Sequence, residues 1–443
     1  MTEKKGSIYF VSLGCPRNLV DTEVMLGIVM AEGYDIATTI DGADYIVVNT
    51  CGFLEEARQE AISTIQEMCD EKKATAKVVV TGCMVQNHGD TIREECPDVH
   101  YLVGSGDTAT ILEALEDKNV GETVSSAKSF IQQGDTPRTI STPPHYAYLK
   151  IAEGCRKRCS FCIIPDIKGP LKSKTTQQVV KEFKGFVEDG VKEIILIAQD
   201  LGDFGKDTGE TLAGLLKELC AVPGDYWIRL LYLYPDEITD EVIDIIKEDD
   251  RICPYLDMPI QHINNTILST MRRATTKEDI IDIITKLRKT LPDIVIRTSL
   301  MVGFPGENDE QFQELLDFVK KYKLDNIGVF IYSPEKGSTA ETLPGQVHDD
   351  VKEKRYNVLM AAQQKISYGK NRAMIGKKIR VIVDGYHPET ELLLSARTQG
   401  QCPDIDGTVI VNDYTLVDTI GEFYTAEITD AADYDLIAKI IDN

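Results

Sequence analysis

Gly154-Cys155-Arg156-Lys157-Arg158-Cys159-Ser160-Phe161-Cys162 is the stretch on which the reading of this chain turns. Its cysteines follow a C-x3-C-x2-C spacing, with no fourth cysteine nearby. Thiolates are the usual iron ligands of a cubic four-iron cluster. Three of them in one loop leave one iron corner open to a substrate. Zinc is the competing occupant, but structural zinc takes four ligands, and the nearest histidine is His145.

Outward from this loop the chain reads as a parallel α/β unit. Residues 148–152 form an apolar strand that leads directly into Cys155, and further apolar runs follow at 193–198, 227–233, 255–259, 294–302 and 327–332. Helix-patterned segments lie between most of them. Six parallel strands with helices outside make a partial (β/α)6 barrel, whose chemistry belongs at the strand carboxyl ends.

Upstream, Ile8-Tyr9-Phe10-Val11, Tyr45-Ile46-Val47-Val48 and Val78-Val79-Val80 alternate with helical patterns over residues 20–32 and 54–68, as parallel βαβ units do. Cys15, Cys51 and Cys83 each follow one of these strands by a few residues. Successive parallel strands point the same way, so the three thiols gather at one carboxyl edge. Gly14, Gly52 and Gly82 beside them allow tight turns and close backbone approach. Buried packing is the plain alternative for free cysteines. Three at equivalent strand ends point instead to a second cluster. Cys69, Cys96, Cys220, Cys253 and Cys402 lack site spacing and read as small apolar packers.

Residues 125–145 read as a polar linker carrying Gly134, Pro137, Pro143 and Pro144. From Gly376 short strands at 378–383, 392–396, 407–411 and 423–428 predict a small antiparallel β-barrel. It holds five Lys and Arg against thirteen Asp and Glu. The whole chain has net charge −24. A protein that grips nucleic acid shows a basic stripe, so the balance favours a basic protein partner over nucleic acid, with simple solubility as the plain alternative. The polar start with Lys4 and Lys5, and the lack of any long apolar run, predict a cytoplasmic chain. Eleven cysteines then argue for metal or catalytic use over disulfides.

Taken together, the strand-end cysteine triplet, the C-x3-C-x2-C barrel and the small terminal barrel resemble the radical S-adenosylmethionine methylthiotransferases over essentially the whole chain. Residues 12–21 (Ser-Leu-Gly-Cys-Pro-Arg-Asn-Leu-Val-Asp) look like the ribosomal-protein branch. So do residues 148–155, 229–235 and 255–262. The resemblance implies a Rossmann-like methylthiotransferase domain over residues 1–132, a linker over 133–145, a radical S-adenosylmethionine core over 146–372 and a TRAM domain over 376–443. It implies two [4Fe-4S] clusters, one on Cys155, Cys159 and Cys162 and an auxiliary one on Cys15, Cys51 and Cys83. S-adenosylmethionine would be both radical source and methyl donor. The substrate would be an aspartate of the basic twelfth protein of the small ribosomal subunit, which gains a methylthio group at its β-carbon. A low-potential electron donor such as flavodoxin or ferredoxin and a sulfur source would be partners.

The resemblance also implies cofactor contacts. Phe161 would lie beside adenine, Gln199 and Asp200 would meet the cofactor from the second strand end, and Gly303, Gly306 and Glu307 would line it after the fifth. A structural turn competes at Gly303–Glu307, a polar strand end at Gln199 and Asp200, and core packing at Phe161. His262, after Gln261 at the fourth strand end, reads as structural. Two departures stand out: Lys168, Lys172 and Lys174 fall in a run where arginine is expected, and Cys402 stands where alanine is. Two rivals remain. A tRNA adenosine methylthiotransferase would want a basic third domain, and a non-enzymatic iron–sulfur carrier or sensor normally closes each cluster with four thiolates.

Overall fold

The computed structural model describes residues 5–132 and 136–442. Lys4 of the polar start and Gly134 of the expected linker lie outside the described residues.

The amino-terminal sheet is all parallel, in the order Asp35–Ile36, Ser7–Ser12, Tyr45–Thr50, Lys77–Gly82, Val99–Gly104, Gly121–Thr123. Its β-branched strands are apolar on both faces because helices cover both, the usual condition of a parallel sheet. Ile46, Val48, Val78 and Val80 pack in one core with Ile62, Ile65 and Ile92 of the helices Glu55–Glu71 and Cys83–Glu95. Val47, Val79 and Val103 pack with Met25 and Val29 of the helix Pro16–Ala31 on the other side. That last helix starts earlier than the expected residue 20, because Pro16 occupies its first turn directly after Cys15.

The central sheet has six parallel strands that neighbour in chain order: Tyr146–Lys150, Glu193–Ile197, Trp227–Leu230, Ile252–Asp257, Val295–Val302 and Asn326–Ile331. It is the partial barrel the sequence predicts. Helices Thr176–Glu188, Lys277–Thr290 and Asp309–Tyr322 pack outside it, each opened by a capping box at Thr175, Thr276 or Asn308. Alternate side chains divide the two faces. Ala147, Leu149, Ile194, Leu196, Ile228 and Leu230 meet the helices. Tyr146, Tyr148, Ile195, Ile197, Trp227 and Tyr255 point to the concave side, where they meet Val20 from the amino-terminal helix and Ile382, Cys402 and Phe423 from the carboxy-terminal barrel. The concave face is therefore filled by the other two parts of the chain.

The carboxy-terminal barrel closes through Lys378–His387, Thr390–Thr398, Val409–Asp413, Leu436–Asp442 and Phe423–Ala431. Four of its pairings are antiparallel, as expected. The fifth is not: Leu436–Asp442, a strand absent from the sequence reading, runs parallel to Val409–Asp413. Its antiparallel pairing with Phe423–Ala431 sets its direction, and closing the barrel then leaves only a parallel neighbour. Glu193 at the start of the second central strand receives Arg229 of its own sheet and Arg397 of the barrel, and Arg397 also reaches Asp384 at 2.8 and 2.9 Å. Trp227 stacks on Phe423 with ring centroids 4.8 Å apart.

Residues 136–145 of the linker form a strap. Arg138 donates to Glu23, Glu182 and the Tyr148 carbonyl, and Ser141 bonds to Glu23. Gly27 permits the crossing, since a Cβ there would sit 2.4 Å from the backbone of Pro137. No helix among the described residues is long and apolar enough to cross a membrane.

Candidate functional site

The carboxyl edges of the two parallel sheets face each other, and each brings three thiols. In the amino-terminal sheet Cys15 caps the helix after Ser7–Ser12, Cys51 follows Thr50 directly, and Cys83 opens the helix after Gly82. These three strands are neighbours, so the thiols are brought together: the charge of Cys15 bears on Cys51, and those of Cys15 and Cys51 bear on Cys83. Gly14 is held at φ +87°, and a Cβ there would lie 2.6 Å from Cβ of Cys51. Only glycine fits.

Across from it, Cys155, Cys159 and Cys162 occupy the loop after the first central strand. Backbone bonds pin this loop from distant segments: Cys155 N–H to the Gly169 carbonyl (3.3 Å), Ser160 N–H to Met271 (3.0 Å) and Ala340 N–H to Ser160 (2.7 Å). Its basic residues are held as firmly. Arg156 pairs with Asp203 at 2.8 Å, and Lys157 with Asp200 at 3.1 Å, Asp236 at 3.0 Å and Glu237 at 3.5 Å. Asp200, Asp203 and Glu237 bring carboxylate oxygens within 4.8 Å of one another. Arg156, Lys157 and Lys206 already compensate them, so the trio serves as an ion-pair anchor for the loop.

The donor chemistry fits iron–sulfur ligation at both sets. All eleven cysteines are free thiols. N–H groups point at the sulfurs: Ile164 at Cys162 (3.4 Å), Lys157 at Cys155, Arg17 and Asn18 at Cys15, and Phe53 and Gly52 at Cys51. Such bonds stabilise charge on ligand sulfur. Burial pushes Cys83 and Cys162 up to about 12 and Cys155 up to about 11. Cys15 differs. Burial raises it too, but the Arg17 charge and the Asn18 and Arg17 N–H groups outweigh that and hold it below the ordinary thiol range.

Between the triads lies a buried charged seam. Asp21, from the amino-terminal helix, accepts from Lys150 and, at 3.0 Å, from Lys168; Lys150 also reaches Glu153 at 2.8 Å, and Gln199 donates to Glu153. Lys168, one of the lysines standing where arginine was expected, thus serves two carboxylates as a point charge. Lys174 is taken up by Glu182, while Lys172 is exposed. Cys83, Phe53, Ile163 and Ile167 form the apolar part of the same contact. Arg17 donates to the Ala198 carbonyl at 3.0 Å and lies 4.9 Å from the Tyr232 ring centroid, and its charge reaches both Cys15 and Cys162. Tyr232 and Gln261, at strand carboxyl ends, have φ of 62° and 70°. Non-glycine residues hold that conformation only where their surroundings enforce it, and such places cluster at sites.

The remaining expected residues fall into two groups. Phe161 packs, partly buried, with Ile267, Met271, Phe304 and Tyr332, and Gly303 and Gly306 take the left-handed turn at φ +73° and +86°. Gln199, Asp200 and Glu307 already have protein partners: Glu153 for Gln199, Lys157 for Asp200, and the Gly303 N–H and Arg355 for Glu307. His262 is fully buried, accepts from Asn264 N–H at 3.0 Å and lies 3.7 Å from Glu307. Cys96, Cys253 and Cys402 are buried packers, and Cys69 and Cys220 are half-buried against cores. Sequence reasoning missed Arg17 and Arg273, both of which contact the site. Arg17 carried a signal in its place two residues after a cysteine. Arg273 carried none, being 114 residues from the sulfur it touches. A groove of about 770 Å³ lies between the helices Asp309–Tyr322 and Asp349–Arg372 and contains none of these groups.

Comparison with known proteins follows the same three-part division. Residues 7–104 match the Uncharacterized protein family UPF0004, 149–319 the Radical SAM superfamily and 375–441 the TRAM domain. The ribosomal protein uS12 methylthiotransferase RimO of Protochlamydia amoebophila is 59% identical over 440 residues, covering 98% of this chain and 93% of its own. The RimO proteins of Chlamydia felis and Trichlorobacter lovleyi are 52% and 43% identical, each covering 99% of this chain and 96% and 99% of their own. Among solved structures, the radical S-adenosylmethionine methyltransferase TsrM of Kitasatospora setae superposes with a TM-score of 0.56 at 14% identity, covering 83% of this chain and 90% of that one. That likeness concerns the fold.

Proposed function

The chain belongs to the ribosomal protein uS12 methylthiotransferase RimO family of radical S-adenosylmethionine enzymes, and from that premise we propose that it places a methylthio group on the β-carbon of an aspartate in the uS12 protein, using two [4Fe-4S] clusters and two molecules of S-adenosylmethionine. The observation that carries the reading is the pair of thiol triads on facing sheet edges, each without a fourth cysteine among the described residues.

Cys155, Cys159 and Cys162 would hold the cluster that meets S-adenosylmethionine, and Cys15, Cys51 and Cys83 the auxiliary one. When bound, these groups supply one-electron cleavage of the sulfonium together with the sulfur and methyl that are transferred, which an unactivated carbon demands and acid–base chemistry alone does not offer. The chain's own residues supply placement. The Lys157 and Ile164 N–H groups steady charge on the ligand sulfurs. Phe161, Gly303 and Gly306 would border the cofactor, and Gln199, Asp200 and Glu307 would meet it from the strand ends while held by Glu153, Lys157 and the Gly303 N–H. The Asp21–Lys150–Lys168–Glu153 seam fixes one triad against the other. The acidic surface of the chain suits a basic substrate protein. A low-potential donor such as flavodoxin or ferredoxin and a sulfur source would serve the reaction in the cytoplasm. We divide the chain into residues 1–132, a linker at 133–145, 146–372 and 376–443, in keeping with the two six-stranded sheets and the closed barrel.

The test is anaerobic reconstitution with iron and sulfide, then reaction with S-adenosylmethionine, reductant and a peptide from the uS12 target loop. Mass spectrometry should find a methylthio gain on aspartate, with deoxyadenosine released. Deoxyadenosine with modified tRNA and an unmodified peptide would overturn the substrate, and neither product from a cluster-loaded chain would overturn the reaction.

A further inference from the structure

Arg273 is a buried cation, 8% exposed, with no Asp or Glu partner among the described residues. Its guanidinium donates to the Pro259 carbonyl and lies over the Tyr234 ring, 4.0 Å from the centroid. Its Nη1 is 3.7 Å from Sγ of Cys159, itself buried. The loop's own cations are compensated, while Arg17, whose charge reaches Cys162 from the amino-terminal helix, is held by the Ala198 carbonyl. Lys157, on the same tyrosine ring at 4.2 Å, is answered by Asp200, Asp236 and Glu237, and Arg156 by Asp203. Arg158 is exposed and faces Asp166 at 3.9 Å. Among the described residues, Arg273 is thus a buried cation without a carboxylate partner that donates directly to a cysteine sulfur of the loop.

Hydrogen bonds to sulfur, net charge and solvent exposure are what set the potential of an iron–sulfur cluster. We propose that Arg273 sets the reduction potential of the cluster held by Cys155, Cys159 and Cys162, by placing a positive charge and an N–H donor on Cys159 that stabilise the added electron. This rests on the ligand assignment above. Arg273 acts here as a positioning and tuning residue, and sulfonium cleavage depends on it through the driving force of electron transfer.

The experiment is a potentiometric titration followed by electron paramagnetic resonance. It uses the reconstituted chain carrying Cys15→Ala, Cys51→Ala and Cys83→Ala, so that one cluster remains, with and without Arg273→Met or Arg273→Lys. In R273M the preference for the reduced cluster should fall about ten-fold, which is about 59 mV more negative for a one-electron couple. R273K, which keeps the charge, should retain more than half of that difference. An unchanged potential in R273M overturns the proposal, and so does an equal shift in R273M and R273K, which would mark a packing role. If R273M does not fold, R273Q takes its place: a negative shift supports the proposal and an unchanged potential overturns it. Failure of the parent triple variant to hold any cluster overturns the ligand assignment and this inference with it, a result distinct from an unchanged potential.

Discussion

Asp21→Asn should loosen the two triads from each other without touching either. Asp21 is 3% exposed and is the only acidic contribution of the amino-terminal helix to the seam, where it faces Lys150 (1% exposed) and Lys168 (4% exposed). Without it, two buried ammonium groups share Glu153. Removing one partner of a buried pair costs about 3–5 kcal/mol, mostly the penalty of the charge left behind. The retained amide oxygen places this change near the lower end, at about 3 kcal/mol. Because the lost contacts join the amino-terminal helix to the central domain, the loss falls on the interface that faces the triads. A displacement of ~1 Å between reacting groups can lower a rate about a hundred-fold. Methylthio product per deoxyadenosine released should therefore drop ten-fold or more, while total deoxyadenosine formation persists. Urea unfolding of the anaerobic holoprotein measures the first quantity, and paired product quantification measures the second. Adding Lys168→Met should recover part of the stability, since the stranded charge is then gone. A loss under about 1 kcal/mol together with an unchanged product ratio would refute the reasoning.

Three further outcomes are expected. Cys159→Ala should abolish deoxyadenosine formation, whereas Cys51→Ala should spare it and stop methylthio transfer, both read by chromatography and mass spectrometry. Gly14→Ala meets Cys51 at 2.6 Å in a left-handed turn; it should lower stability by about 1–3 kcal/mol and deplete iron from the amino-terminal triad, read by iron analysis. Burial raises Glu193, but Arg229 and Arg397 outweigh it and hold the carboxyl below its ordinary 4.5. The unfolded chain takes up that proton first, so the stabilisation is complete above about pH 4.5 and is lost as pH falls through the folded value. Glu193→Gln should cost about 3–5 kcal/mol at pH 7 and flatten that acid limb, as urea midpoints at pH 7 and pH 4 would show.

What the sequence revealed and what it hid separate along physical lines. The cysteine sets were legible because their spacing is local: the first follows from a three-residue and a two-residue gap, the second from the length of a βαβ unit. The parallel strands were legible from β-branched apolar runs. The barrel strand Leu436–Asp442 was hidden because its alternate pattern is short and its parallel partnership depends on closure. The filling of the concave face was hidden because a doubly buried strand is apolar on both sides, so Tyr146 and Ala147 give no hint of which meets a helix and which meets the terminal barrel. Glu307 illustrates the limit of a loop motif. It stands next to the glycine turn in sequence, and the fold directs its carboxylate to the Gly303 N–H and Arg355. Arg273 lies beyond reach altogether, since its partner is set by the packing of the segment after the fourth strand against the cysteine loop.

Iron and acid-labile sulfide counted on the anaerobically reconstituted chain, beside two triple variants, test the central claim most directly. One variant replaces Cys155, Cys159 and Cys162 with alanine, and the other Cys15, Cys51 and Cys83. Two independent triads predict about eight irons in the parent chain and about four in each variant, with deoxyadenosine formed by the second variant and not by the first. About four irons in the parent chain, or loss of all iron from either variant, would contradict it.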